Sequence, residues 1–414
     1  MIGVLYSTAG LSTRTGNLVL RTFPQEAELY TENGKVLHPE GRREEWRIYT
    51  LPRGFQVLEL RSPGYYSKRL HLVLTDSFEV EEKLERKDSR LLLVGETPTG
   101  KWPKGVLFSP EVDYLAVTLL GGKGIDRISF PELTPRKEID LSYSKPKSSG
   151  YVEPYVFLRR GELWVSQMET GEVHILDIHT LKILGKIDVQ GKWPKVICGN
   201  ADETYAFISN WLSQTITVID TKTRKVVKVI PVSGIPRGLA FTKTGTLYVC
   251  LYEPGDIEVI DGNTFTRLKT LPFKPGAKRH IVLDENNKIG YVSDMATGRV
   301  ISFSLETGKP LQSLRVGSNV NTLSLTSDGR FLFVSNRGRN NPEDYQKRGP
   351  EFGKISVIDT RTFQIVDWVW GRNQPTGLAL SPDNRYMAFT DFLDNNLEVY
   401  DISGLYSEDR VPNR

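Results

Sequence analysis

Five histidines, two cysteines and four methionines are all that 414 residues carry of those types. The two cysteines, Cys198 and Cys250, stand in no CxxC, CxxCH or paired-finger spacing, which excludes dithiol redox, c-type haem attachment and zinc-ribbon chemistry. Both fall in apolar strand-like runs, where buried free thiols are the expectation and a bridge the alternative. No apolar run approaches the roughly 18 residues of a membrane-spanning helix. Residues 1–10 lack the basic start and long apolar core of a secretory signal. Net charge is only +4, too little to point to nucleic acid. No Gly-rich phosphate loop opens a helix, and no stretch has strong helical periodicity. No cofactor, metal site, nucleic-acid partner or membrane span is therefore expected.

What is present is a repeat. Trp193 opens a stretch with runs at residues 195–198, 205–209, 216–219 and 226–229, alternating at period 2 and separated by Gly, Asn, Asp and TKT. Four short strands in a meander cannot bury both faces alone. The residues Lys104, Tyr155, Lys195, Arg237, Arg279, Asn321 and Thr376 each precede a first strand, at spacings of 51, 40, 42, 42, 42 and 55. Second strands end WVSQ, FISN, YVCL, YVSD, FVSN and AFTD; third strands read HILD, TVID, EVID, SVID and EVYD. About 42 residues and four strands per unit predict a seven-bladed β-propeller. The last unit lacks a fourth strand. Residues 90–95, RLLLVG, lie ahead of the first unit and are expected to complete the last blade, which removes two exposed sheet edges.

Residues 1–88 form a separate all-β unit, with candidate strands at 18–22, 28–31, 45–49, 56–60, 68–74 and 78–83, an Asn33-Gly34 hairpin and turns at Pro52-Arg53-Gly54 and Pro63-Gly64. A small Ig-like sandwich follows. This unit resembles the PEGA family through Val19-x-Arg21-x-Phe23-Pro24, Glu26–Tyr30 read as EAELY, the hairpin, LPRG at 51–54 and PGY at 63–65, departing from it at 38–43. Residues 89–414 resemble the YVTN family of propellers, which are WD40-like in architecture, through YVSD at 291–294, FVSN at 333–336, TVIDTKT at 217–223 and SPDNRYMAF at 381–389. The order of the two resembles bacterial surface antigens of leptospiral type. That resemblance implies a cell-envelope protein outside the cytoplasm, at the surface or in the periplasm; a monomer is expected, and a lipoprotein-type anchor would need a segment absent from this chain.

Two excursions depart from the repeat, residues 142–154 and 337–354, and excursions of that length are either functional or tolerated drift. Antiparallel geometry places both on one face, together with the first-strand starts. Lys104, Lys195, Arg237 and Arg279 converge there, with Lys101, Lys192, Lys278 and Arg372 near the same rim. Like charges around a narrow mouth repel, and a bound anion offsets that. A phosphate, carboxylate or acidic glycan is the expected ligand; the alternative has the cations pointing into water. Trp193, Trp211 and Tyr252 suit sugar stacking or a protein contact, or else packing between blades. Asn321, Arg337 and Arg339 complete the candidate set. Gln167, Asn210, Asp294, Asn336 and Asp391 end second strands, where bracing of turns competes with ligand binding.

The leading expectation is a non-enzymatic binding protein, antigen- or adhesin-like, that holds a small anion, acidic glycan or protein on this face. Two others stand beside it. His280, next to Arg279 and with Asp294 as its carboxylate, could serve a lactonase-like hydrolase, though no partnered nucleophile is evident. The third is a scaffold whose 337–354 excursion docks a protein.

Overall fold

The computed structural model describes residues 14–142, 149–273 and 275–407. Part of the 142–154 excursion, residues 143–148, and most of the leader thus lie outside the described residues. The chain divides into two compact units, Met1–Asp88 and Ser89–Arg414.

In the smaller unit, two four-stranded sheets face each other. One is ordered Gly41–Arg43, Trp46–Pro52, Thr15–Phe23, Ser77–Lys83, and the other Val36–Leu37, Glu28–Thr31, Gly54–Arg61, Lys68–Leu74. Alternation does the sorting: Leu70, Leu72 and Leu74 turn inward while Arg69, His71 and Val73 face out. They meet Leu18, Leu20, Leu29, Tyr49, Leu58 and Leu60 in one core. Gly34 takes φ +78°, the left-handed geometry that the tight hairpin needs.

The larger unit is a ring of seven four-stranded antiparallel sheets. The innermost strands run Pro103–Phe108, Tyr151–Phe157, Pro194–Gly199, Pro236–Phe241, Lys278–Asp284, Val320–Leu325 and Pro375–Leu380. Each packs on the next, and the first packs on the last. Second strands are buried along all or nearly all of their length, fully in Tyr114–Leu119 and Phe331–Asn336, because a neighbouring blade covers each face. Outer strands such as Pro310–Arg315 are wet.

Leu92–Pro98 pairs antiparallel with Asn396–Asp401 as the outermost strand of blade seven. The ladder starts two residues later and runs three further than the 90–95 read from the apolar run. The reason is local. Asp367 of blade six accepts from the Arg90 backbone N–H at 2.7 Å and the Ser89 hydroxyl at 3.2 Å, and Leu91 is buried between blades six and seven. The exposed Leu92, Leu93 and Val94 then form an outer strand rather than a core strand. At the seam, Val106, Phe108 and Val117 of blade one share a core with Ala388, Leu397 and Val399 of blade seven.

A hydroxyl recurs at the fifth position of the second strands: Thr118, Ser166, Ser209, Ser293, Ser335 and Thr390. Each accepts a backbone N–H from its own inner strand at 2.8–3.2 Å. Most also donate to a carbonyl of the next inner strand, as Ser166 does to Lys195 at 2.6 Å and Ser209 to Arg237 at 2.9 Å. Cys250 takes this position in blade four. Cys198 and Cys250 are both free and buried, and burial pushes both thiols up.

Candidate anion site at the ring mouth

Every inner strand breaks register near its start. The shift falls at Pro103/Val106, Tyr151/Pro154, Pro194/Ile197, Pro236/Leu239, Lys278/His280, Val320/Leu323 and Pro375/Leu378. A bulge re-aims the extra side chain, and the residues inside these bulges include Lys104, Glu153, Lys195, Arg237, Arg279, Asn321 and Thr376. Inner strands also come very close here. A Cβ on Gly238 would lie 2.8 Å from His280 Cα and 2.9 Å from the Arg279 carbonyl oxygen, so glycine is needed there.

Lys104, Lys195, Arg237, Arg279 and Arg337 line one cavity of about 320 Å³, with Trp193, Trp211, Tyr252, Met295, Asn340 and Tyr345. Trp211 and Tyr252 pack with ring centroids 4.9 Å apart. Phe392 lies beneath, 4.8 Å from the Lys104 ammonium and 5.9 Å from the Arg337 guanidinium. Asn340 and Tyr345 come from the 337–354 excursion, which is tied back by Gln374: its amide donates to the Tyr345 carbonyl at 2.5 Å and its oxygen accepts from Arg337.

The carboxylate facing this cluster is Glu153, 2.6 Å from Arg237. Burial opposes its ionisation, but Arg237, His280 and Arg279 together outweigh burial and hold it below the usual carboxylate range. The cations are short of counter-charge. Burial, with Arg337, Arg279, Arg237 and Lys195 gathered round, holds Lys104 well below the ordinary lysine range. Burial and then Arg237 and Arg279 bring Lys195 down to about 7. Arg279 is held well below its ordinary value by burial, Arg237 and Arg337, and burial brings Arg337 to about 10. Arg237 Nη1 and Arg337 Nε are buried donors without a hydrogen-bond partner among the described residues. Buried N–H groups without acceptors are costly, so an anion with oxygen acceptors would lower the free energy of this arrangement.

Several expected residues sit elsewhere. Asn321 lies behind the cavity wall, accepting from Arg279 Nε and donating to the Thr376 carbonyl at 3.2 Å. Arg339 is exposed and paired with Glu351 at 3.2 Å, because the excursion turns there. Lys278 is fully buried against Asp294 at 2.8 Å, and Arg372 pairs with Glu96 at 3.2 Å. Asp294 is thus no partner for His280. That histidine accepts from the Leu323 N–H at 3.4 Å, and the carboxylate in its electrostatic surroundings is Glu153. The other second-strand termini brace turns; Asn210 Nδ2, for instance, donates to the Thr215 and Thr217 hydroxyls at 3.1 and 2.8 Å.

Glu153 escaped the sequence because blade two was aligned on Tyr155. Counting 13 back from the second-strand hydroxyl, as from Thr118 to Gly105 and from Ser209 to Val196, takes Ser166 to Glu153, one place after the position of Lys104 and Lys195, which Val152 holds in blade two. Tyr345 and Asn340 had no repeat to place them.

Residues 257–406 match the model of the lactonase seven-bladed β-propeller family. That stretch holds Arg279 and Arg337 but not Lys104, Glu153, Lys195 or Arg237. Antigen Lp49 of Leptospira interrogans serogroup Icterohaemorrhagiae is 35% identical over 356 residues, covering 83% of this chain and 77% of that protein. The chain belongs to the antigen Lp49 family. Among solved structures, hydrazine synthase of Kuenenia stuttgartiensis superposes with a TM-score of 0.56 over 65% of this chain and 82% of that one, at 18% identity. At that identity the likeness concerns the fold alone, so the chemistry of this Lp49-family member rests on its own side chains.

Two histidines give a pH prediction. Burial brings His174 and His280 each from 6.5 to about 4. Between those values the unfolded chain takes up protons that the folded chain does not, so stability present above pH 6.5 is lost as pH falls toward 4. His174→Gln is expected to flatten this slope in urea unfolding measured across that range.

Proposed function

We propose that this protein is an extracytoplasmic, surface-antigen-type binding protein that holds a small anion or the acidic group of a glycan or protein at the ring mouth. The observation that carries this is five cations around a 320 Å³ cavity with Glu153 as their counter-charge and two arginine donors unmatched. Ligand cavities of a few hundred Å³ with apolar walls and a few aimed polar groups are ordinary small-molecule sites. Trp211 and Tyr252 supply the wall, and the Lp49 relationship supports the surface location. A titration of carboxylates, phosphate and acidic oligosaccharides, read by fluorescence of Trp193 and Trp211, tests it. Binding is expected to be tighter at pH 6 than at pH 8, since Lys195 loses its proton near 7. A flat response across the panel at low salt would discard the anion site.

A hydrolase is the second reading, favoured by the lactonase-family match and by Glu153 lying in the electrostatic surroundings of His280. Lactone turnover that disappears in His280→Ala would support it.

A further inference from the structure

We propose that Lys195 captures small carbonyl-bearing carboxylates, such as 2-oxo acids, by forming an imine with them in the mouth cavity. This deepens the anion-site reading and rests on it. The Lys195 amine opens on the cavity, and its neighbours there are soft and apolar: Met168 Sδ at 2.9 Å and the Trp193 ring at 5.2 Å. No carboxylate among the described residues lies within ion-pair distance of it, in contrast to Arg237 with Glu153 and Lys278 with Asp294. An ammonium so placed has a thioether and an indole face but no carboxylate to hold its charge, and a partly desolvated lysine beside other cations is an activated nucleophile. Burial, Arg237 and Arg279 bring this amine to about 7, so much of it is neutral at pH 7. Lys104 is the poorer candidate because it is buried against Phe392 with four cations around it.

The same arginines that crowd the amine select the ligand. Arg237 Nη1 is buried without an acceptor among the described residues, and Arg279 is tied to Asn321 through Nε, which leaves its terminal amines for a ligand carboxylate. A carboxylate held there places an adjacent carbonyl carbon beside the lysine. The amine lone pair then adds to that carbon, the C=O π pair moves to oxygen, and one nitrogen proton passes to that oxygen to give the carbinolamine. A further proton from solvent converts the hydroxyl to water. The C–O bond breaks, water leaves and the nitrogen lone pair closes the C=N bond. One amine, one carbonyl and one proton become one iminium and one water, with no oxidant or reductant. The iminium charge lies against the ligand's own carboxylate, which offsets the surrounding cations.

The test treats the full chain with pyruvate and sodium cyanoborohydride, then maps the reduced adduct by peptide mass spectrometry. The exposed Lys192, three residues earlier, is the internal reference. Labelling of Lys195 is expected to exceed that of Lys192 by about tenfold or more, to quicken from pH 6 to pH 8 at saturating pyruvate, and to be suppressed by excess inorganic phosphate. Lys195→Arg should lose the adduct and Lys192→Arg should keep it. Equal labelling at both lysines, or labelling of Lys195 indifferent to phosphate, in a protein shown by fluorescence to bind phosphate overturns the imine while sparing the anion site. Failure to bind phosphate or any carboxylate removes both.

Discussion

Arg279→Gln is expected to weaken carboxylate or phosphate binding by about 10- to 100-fold while raising the thermal midpoint of the ligand-free protein. The first effect is the loss of a charge-assisted hydrogen bond, worth about 1.5–3 kcal/mol in a buried site. The second follows from the crowding. Burial, Arg237 and Arg337 hold Arg279 well below its ordinary value, so the folded state disfavours a charge that the unfolded chain carries freely. For a cation with a depressed value the folded state carries that penalty wherever the group is charged, and removing the charge removes it. Glutamine also keeps a neutral donor for Asn321. Calorimetric titration and thermal denaturation give the two numbers separately. Opposite signs are the mark of a site in which stability is sacrificed for binding; if affinity and melting temperature fall together, Arg279 is a structural residue and the site must be placed elsewhere.

The largest stability effect is expected at the buried ion pair of the preceding residue, Lys278 with Asp294. Asp294→Ala should lower the unfolding free energy by about 3–5 kcal/mol, the range for stranding one member of a buried ion pair. Lys278 has no solvent exposure and would lose its carboxylate at 2.8 Å. The Ala277 N–H, now 2.9 Å from the same group, would lose its acceptor too. Replacing the pair together, Lys278→Met with Asp294→Leu, should recover most of the loss, because an apolar pair needs no counter-charge. Guanidinium unfolding of the two variants decides it: equal destabilisation of single and double variants would mean the pair itself is not what the fold depends on. Since Lys278 flanks the bulge that carries Arg279, the single variant should also blunt anion binding.

Much of the ring was legible because its physics is local. Each unit repeats the same alternation and the same kind of turn residues, so seven sheets and their connecting face follow from spacing. Lys104, Lys195, Arg237 and Arg279 were legible for the same reason, being one position of the repeat read four times. Arg337, Trp193, Trp211 and Tyr252 also line the cavity, reached from strand ends and loops on that face. Asn321 shares the repeat position but stands behind Arg279, because a bulge sets where a backbone goes and not which of two neighbours reaches the opening. Arg339 was misplaced because nothing periodic governs the excursion that carries it.

Composition and periodicity alone determined a two-part all-β chain, a repeat of seven, a strand before the first unit available to finish the last, and a rim rich in cations. Those properties depend on neighbours in sequence or on one repeat copied along the chain. The tertiary structure decided which charges are paired and which are left over: Lys278 with Asp294, Arg339 with Glu351 and Arg237 with Glu153, while Lys195 meets a thioether and an indole. Pairing depends on ångström-scale approach between residues tens of positions apart, and on how much water remains between them. Both are fixed only when the ring closes and the inner strands come into contact.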